Sequence, residues 1–293
     1  MEHQYGNKEE IPYTDRIRRN LRADCEKCFG LCCIALYFSA SDGFPADKDA
    51  GQPCLNLQTD FRCGVYKNLK KHGLKGCNAY DCLGAGQRVA QVTFCGHNWR
   101  QVPGSAKQMF EAFLIMWQLH EMLWYLTEAL TLQPTIPIHD VLISAAEKTE
   151  RLTNLSPDAL MKLDIAAHRA DVSALLLQTS ELVRAEARRG QNTCTGSKKA
   201  FREGDDLIAA DLRKANLRGA NLKGAYLIAA DLRGVDLSGT DLLGVDLRDA
   251  DLRGANLSNS IFLTQAQVNV AKGDASTKLP PPLTHPTHWL TKV

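Results

Sequence analysis

The sequence predicts a multidomain α+β protein built from three consecutive parts. Nine of the ten cysteines lie between Cys25 and Cys95, which indicates a small cysteine-rich module. Apolar residues at helical spacing follow in the middle of the chain, and from Leu207 onward a large apolar residue recurs at every fifth position. We divide the chain into an N-terminal extension at 1–22, a cysteine-rich module at 23–100, a helical segment at 104–190, a repeat at 205–264 and a proline-rich tail at 265–293.

The overall composition excludes few classes of protein. Hydrophobic residues make up 44% of the chain and charged residues 23%, as is usual for globular proteins. The net charge of +2 gives no reason to expect nucleic acid or an acidic membrane as a partner. The first twenty residues lack the apolar stretch of a secretory signal, and the most apolar segment, 109–130, contains too many polar groups for a membrane span. We therefore expect a cytoplasmic protein with no membrane span.

The crowding of cysteines in the first part points to metal chemistry. In a reducing compartment, closely spaced cysteines favour metal or redox sites over disulfides. Thiolates a few residues apart can meet on one ion because short loops cost little to close, and sulfur suits zinc or an iron–sulfur cluster. Disulfides and incidental burial of small side chains are the alternatives. Nine cysteines in so short a span, including the vicinal pair Cys32 and Cys33, favour metal over both.

The segments "CEKCFGLCC", "PCLNL", "FRCGVY" and "GCNAYDC" resemble the cysteine-rich CxxCxxCC family, a module proposed to chelate zinc or iron. In this chain one extra residue separates Cys28 from Cys32, compared with the spacing of that family. The resemblance implies eight ligands, which are Cys25, Cys28, Cys32, Cys33, Cys54, Cys63, Cys77 and Cys82. Eight thiolates could serve two four-ligand sites or one cluster with spare ligands. Cys95 and Cys194 are expected to have no metal role.

The middle of the chain is predicted to form a connecting bundle of three helices. Apolar periodicity places them at 105–132, 138–152 and 157–189. Ser156 before Pro157 is a good start for the third helix, and Gly190 is a suitable stop. We expect this last helix to cover the first coil of the repeat, since open β edges need protection.

The repeat combines a large apolar residue at every fifth position with a small residue two positions earlier. A period of five fits neither a helix nor a flat strand, so the chain must turn a corner every five residues. If four sides close a coil, residues twenty apart stack, and this explains why "LIAADLR" occurs at both 207–213 and 227–233. Glycines from Gly219 to Gly254 fall at one fixed offset, where a corner needs permissive backbone. The pattern predicts about three coils.

These residues, "ADLRKANLRGANLKGAYLIAADLRGVDLSGTDLLGVDLRDADLRGANLSNS", resemble the pentapeptide-repeat family with its A(D/N)LXX motif. The resemblance implies a right-handed quadrilateral β-helix. Some members of that family resemble duplex DNA and protect DNA gyrase. Here nine aspartates face seven lysines or arginines between Asp205 and Thr264, and three coils make a stub of only about 15 Å. The stacked columns Asp211, Asp231, Asp251 and Arg213, Arg233, Arg253 are expected to neutralise each other.

Together, these patterns predict a non-enzymatic, metal-binding scaffold whose repeat binds an unidentified protein partner. Direct binding of nucleic acid is not expected, and end-to-end pairing of repeats would make a homodimer. The first alternative is an iron–sulfur redox or sensing protein, and the second is a DNA-mimic protein that interacts with gyrase. No Ser/His/Asp set or carboxylate pair has a spacing that nominates hydrolysis.

Overall fold

The computed structural model describes residues 12–189 and 201–290. Within these ranges the chain forms ten α-helices, separated by turns and loops. They are α1 Tyr13–Asn20, α2 Leu31–Ala35, α3 Lys75–Ala79, α4 Ala85–Arg88, α5 Ala106–Ala129, α6 His139–Leu152, α7 Pro157–Met161, α8 Ile165–Arg188, α9 Gln265–Val270 and α10 Thr287–Leu290. Short 3-10 helices lie at Ala40–Asp42, Tyr66–Asn68, Pro103–Ser105 and Gln133–Ile138, and a π-helical turn lies at Val89–Thr93.

Helix α5 is the centre of the first two parts of the chain. Its Phe113 and Met116 are fully buried, and α1, α2, α4, α6, α7 and α8 pack around it. Leu31 of α2 and Ala85 of α4 belong to the same hydrophobic core. The cysteine-rich segment and the helical segment therefore share one core.

The middle of the chain is helical as predicted, with one difference. The helix expected over 157–189 is two helices, α7 and α8, because Asp164 starts a new helix by accepting a hydrogen bond from the Ala167 N–H at 2.9 Å. Ser156 caps α7 as expected, accepting from the Ala159 N–H at 3.3 Å. The predicted stop at Gly190 lies outside the described residues.

The repeat forms stacked coils joined by isolated parallel bridges between residues twenty apart. Asp211 pairs with Asp231, which pairs with Asp251, and bridged positions recur every five residues, so each coil has four sides. The predicted leucines fill the interior, from Leu207 at 3% exposure to Leu257 at 0%. A fully buried leucine stabilises the fold by about 1.5–3 kcal/mol. The corner glycines adopt positive φ angles near 65°, as the fixed offset predicted.

The parallel pairing reaches beyond residue 264, where the five-residue phase ends. Helix α9 interrupts the coil, and Lys272 and Lys278 then bridge to Asp251 and Asn256. Trp289 of α10 lies on Gly273 and donates its indole N–H to the Ala271 carbonyl at 3.0 Å. The tail therefore closes the C-terminal end of the solenoid core, a protection that an open β edge needs.

Helix α8 contacts the side of the repeat, and this differs from the expected cover over its first coil. A Cβ on Gly219 would lie 2.9 Å from Arg188 Cγ, and a Cβ on Gly239 would overlap the side chain of Ala187. Because these two glycines stack one coil apart, the last turns of α8 approach the backbone of two successive coils. The same face receives a hydrogen bond from Arg184 Nε to the Gly219 carbonyl at 3.3 Å.

A buried carboxyl of α5 also joins the helices to the repeat. Glu128 accepts a hydrogen bond from the Phe262 N–H at 2.8 Å, and the rings of Tyr125 and Phe262 lie 5.6 Å apart. Burial raises the pKa of Glu128 from 4.5 to about 7, although the Phe262 N–H and the charge of Arg18 act in the opposite direction. Among the described helices, none is long and apolar enough to cross a membrane.

Candidate metal centre

The eight predicted ligands come from the short elements around α2, α3 and α4. Cys32 and Cys33 lie on α2, and Cys77 lies on α3. The turn that starts α2 depends on Gly30, whose φ is +65° and whose missing side chain leaves room for the Phe61 carbonyl, 2.8 Å from where a Cβ would stand. This close approach brings the loop that carries Cys63 against the start of α2.

Four of these thiols form what we call the first thiol group, which consists of Cys32, Cys33, Cys54 and Cys63. The sulfurs of Cys32 and Cys33 are 3.9 Å apart, and the Cys33 thiol also interacts with those of Cys54 and Cys63. Cys33 and Cys54 are buried, and the other two are half-buried. Residues separated by up to 31 positions in the sequence thus meet at one buried sulfur.

Hydrogen bonds between the thiols of the first thiol group shift their pKa values in opposite directions. Hydrogen bonding to Cys33 lowers the pKa of Cys54 and of Cys63 to about 6, and it lowers the pKa of Cys32 as well. The same contacts, led by that with Cys32, raise the pKa of the Cys33 thiol far above its ordinary value. Cys33 is therefore the last thiol of this group to lose its proton.

Three further thiols lie beside the first thiol group, and we call Cys25, Cys28 and Cys82 the second thiol group. Gly86 lies close to two of them, because a Cβ there would lie 2.6 Å from the sulfur of Cys28 and 3.9 Å from that of Cys82. Burial raises the pKa of Cys82 to about 12 and raises that of Cys28 further. Neutral thiols are thus favoured here when no cation is near.

Cys25 and Cys77 lie within electrostatic reach of the first thiol group. Burial is the main cause that raises the pKa of each thiol, to about 12 for Cys77, and nearby thiols add to it. The thiol that contributes most to the raised pKa is Cys32 for Cys25 and Cys54 for Cys77. All eight predicted cysteines therefore occupy one region, whereas Cys95 is exposed, and Cys194 lies outside the described residues.

Backbone amides point at several of the sulfurs. The Leu31 N–H donates to Cys28 and the Asn56 N–H donates to Cys54, both at 3.5 Å. Comparable amide contacts favour the thiolates of Cys63 and Cys82. Amide donors two to four residues after a cysteine stabilise a charged sulfur without a side-chain cation.

The thiols are close together, but they are not arranged as a finished coordination shell. Within the described ranges, no set of three or more His, Cys, Asp or Glu side chains has the spacing of a metal site. Hydrogen bonds between sulfurs hold the first thiol group together.

Two residues of this region were missed by the sequence analysis. Lys48 donates to the carbonyls of Ile34 and Leu36, and its charge lowers the pKa of Cys54. Gly86 belongs to "GAGQRV", where the sequence suggests a plain turn but residues 85–88 form α4. A lone lysine and a single glycine carry no local signal, so only the fold assigns them to the thiols.

Comparison with known proteins agrees with this architecture. The family described as Pentapeptide repeats matches residues 206–242 and 225–262, in eight copies. The chain is 58% identical over 280 residues to "Uncharacterized protein YybG" of Bacillus subtilis (strain 168), covering 96% of this chain and 99% of that protein. It belongs to the YybG family. The match to YybG spans the cysteine-rich and helical segments as well as the repeat.

A solved structure was also found among pentapeptide-repeat proteins. It is the 1.7 Å crystal structure of a pentapeptide repeat protein from the Arabidopsis thaliana thylakoid lumen, 28% identical to this chain. The likeness covers 29% of this chain and 73% of that one, with a TM-score of 0.16.

Proposed function

We propose that this protein of the YybG family is a metal-binding interaction protein, in which the cysteines hold zinc or iron and the repeat offers a surface to a protein partner. The observation that carries the proposal is the first thiol group, where four sulfurs from three separate segments meet around Cys33. Incidental burial does not account for four cysteines at one point, because thiols are weak hydrogen-bond donors and gain little from one another.

The donor set fits a soft divalent ion. Four thiolates in contact would repel each other, so without a cation the first thiol group retains a proton on Cys33. Binding of a metal releases such protons, since the ligand is the thiolate. Cys32, Cys33, Cys54 and Cys63 would hold one ion, with Cys25, Cys28, Cys82 and Cys77 available beside them. Bound zinc would cross-link the loops, and bound iron would add a redox or sensing centre.

The elements around the thiols favour a structural or regulatory role for the metal. Helices α2, α3 and α4 have five residues or fewer, and turns and loops connect them. Cross-linking by a metal is an effective way to fix a segment made of such short elements. The proposal places the protein in a reducing compartment, the cytoplasm, where ligand thiols stay unpaired.

The surface of the repeat favours protein binding over DNA mimicry. Arg213 pairs with Asp211 at 2.7 Å in its own coil and with Asp231 at 3.3 Å in the next. Arg233 repeats the arrangement with Asp231 at 2.6 Å and Asp251 at 3.7 Å. A face on which each carboxylate has a guanidinium partner lacks the uniform negative potential of a DNA mimic.

Metal content measured on anaerobically purified protein tests the proposal. We expect about one or two equivalents of zinc or iron per chain, the number that eight thiolates support at four per ion. Cys33→Ser should lose at least one equivalent, whereas Cys95→Ser, at an exposed cysteine away from the thiol groups, should keep the wild-type content.

The visible spectrum of the same samples separates the two metals. An iron–sulfur cluster absorbs in the visible range and zinc does not, so a coloured protein with acid-labile sulfide would assign the redox alternative. Protein that binds neither metal, even after anaerobic reconstitution, would refute metal binding.

A further inference from the structure

A cavity of about 460 Å³ lies where the cysteine-rich segment, α5 and the repeat meet. Its volume is within the range of small-molecule sites. Tyr80 and Asp81 line it from the segment before α4, Trp117 and Glu121 from α5, and Arg248 from the repeat. None of these side chains is needed by the proposed metal centre, so the cavity requires its own explanation.

The charges on the cavity wall are mainly negative. Four carboxylates line it, those of Asp42, Asp81, Glu121 and Asp246, against the single guanidinium of Arg248. Arg248 is already bound to Asp246, with Nη2 to Oδ2 at 2.7 Å. The residues that line the cavity therefore carry more negative than positive charge, and among Asp81 and Glu121 only Asp81 has no ion pair within the described chain.

These two carboxylates retain free acceptor oxygens. Asp81 Oδ1 accepts from the Leu83 N–H at 2.8 Å, but within the described chain Oδ2 has no donor and Asp81 has no ion pair. Glu121 Oε2 faces Arg169 Nη2 at 3.5 Å, outside the cavity wall, and Oε1 has no donor among the described residues. Both groups can accept hydrogen bonds from a bound molecule.

Aromatic rings form the adjoining wall. The rings of Tyr80 and Trp117 lie 5.2 Å apart, and Trp117 donates its indole N–H to the Asp81 carbonyl at 3.0 Å, which fixes the ring beside that carboxylate. The Tyr80 hydroxyl is buried, and no described residue hydrogen-bonds with it. A buried hydroxyl without a partner is uncommon in folded proteins and marks a place where a ligand group or a water completes the bonding.

We propose that this cavity binds a small primary alkylammonium ion. Carboxylates with free oxygens and a hydroxyl without a partner supply acceptors for the three N–H donors of an ammonium group, and the aromatic wall stabilises its charge and covers its alkyl chain. A quaternary ammonium ion has no N–H donors and would leave those acceptors unused. A neutral molecule of the same shape would leave the negative charge unbalanced.

Titration of the full-length protein with butylammonium chloride tests this proposal, with butan-1-ol as the neutral comparison and tetramethylammonium as the quaternary one. Calorimetry gives the affinity, and the indole N–H signal of Trp117 in ¹H–¹⁵N spectra, assigned with Trp117→Phe, reports the place of binding. We expect saturable binding of butylammonium that shifts this signal, with butan-1-ol at least about tenfold weaker.

Glu121→Gln keeps the shape of the side chain and removes its charge, so it should weaken butylammonium at least about tenfold and leave butan-1-ol unchanged. Glu111→Gln, on the same helix but outside the cavity, is the matched control and should change neither. Tyr80→Phe, which removes only the hydroxyl, should weaken butylammonium more than tetramethylammonium. Equal binding of butylammonium and butan-1-ol, or no saturable binding of butylammonium, would overturn the proposal.

Discussion

Replacement of Gly239 by alanine tests the contact between α8 and the side of the repeat. The alanine Cβ would overlap the Cβ of Ala187, and Gly239 has a φ of +67°. Gly234 is a matched control, because its φ is +69° and a Cβ there would have nothing within 4 Å. The two substitutions therefore share the backbone strain, and only Gly239→Ala adds a steric clash with α8.

The magnitude follows from these two contributions. An alanine in the left-handed region costs about 1 kcal/mol, and the repeat tolerates this conformation at Ala209 and Ala229, with φ of 53° and 56°. Overpacking against α8 adds about 1–3 kcal/mol. We therefore expect Gly234→Ala to lower the free energy of unfolding by about 1 kcal/mol and Gly239→Ala to lower it by about 2–4 kcal/mol.

Urea denaturation followed by circular dichroism measures both variants against the wild type. The double variant Gly239→Ala/Ala187→Gly should recover much of the added loss, since it removes the atom with which the new methyl group collides. Equal destabilisation by the two glycine substitutions, or no recovery in the double variant, would refute the close packing of α8 against the second coil.

Three further predictions follow from buried groups. Folded protein retains a proton on Glu128 that unfolded protein releases, so the free energy of unfolding should fall by about 3 kcal/mol as the pH rises from about 4.5 through 7. Urea titrations at a series of pH values measure this fall. Glu128→Gln, which still accepts the hydrogen bond from the Phe262 N–H, should abolish it. A wild-type slope retained in the variant would contradict this assignment. Trp289→Ala should destabilise the end of the repeat by about 3 kcal/mol and raise amide hydrogen exchange there; unchanged exchange would show that the indole does not close the core. Gly86→Ala places a methyl group against the Cys28 sulfur and should reduce the metal content, measured by elemental analysis, below that of the wild type; full metal content would remove this glycine from the site.

The repeat was predictable because its information is local and repeated. The five-residue spacing determines which side chain is buried at each corner, and the twenty-residue interval determines the partner of each bridge, such as Asp211 with Asp231. The C-terminal end of the repeat was harder to predict from the sequence, because Lys272 and Lys278 resume the pairing after α9 with intervals of 21 and 22 residues. Insertions that break a period remove the pattern from which stacking is inferred.

The helical segment shows both the strength and the limit of periodicity. Apolar spacing predicted α5 and α6 to within a few residues, but it passed over the break before Asp164, where a capping side chain overrides the continuing apolar pattern. The side of the repeat that α8 contacts was also unpredictable. It depends on how α8 packs against Gly219 and Gly239, and neither the sequence of α8 nor that of the repeat shows this by itself.

The spacing of the eight cysteines predicted that they would lie close together, but it did not predict their arrangement. Spacing alone left open which cysteines share a site. Cys63 approaches Cys33 through the turn at Gly30, and Cys54 does so through the hydrogen bond from its N–H to the Cys33 carbonyl at 2.8 Å. Lys48 beside the thiols has no counterpart in any cysteine motif. Contacts between residues that are far apart in the sequence depend on the complete fold, which local sequence patterns do not reveal.

The most direct test of a thiolate metal centre is X-ray absorption at the edge of the metal that the purified protein retains. We predict a first shell of sulfur alone, about four atoms at about 2.3 Å for zinc, and the replacement of one sulfur by a lighter donor or loss of the metal in Cys33→Ser. A first shell of nitrogen and oxygen, or a sulfur shell that Cys33→Ser leaves unchanged, would contradict a site built around the first thiol group.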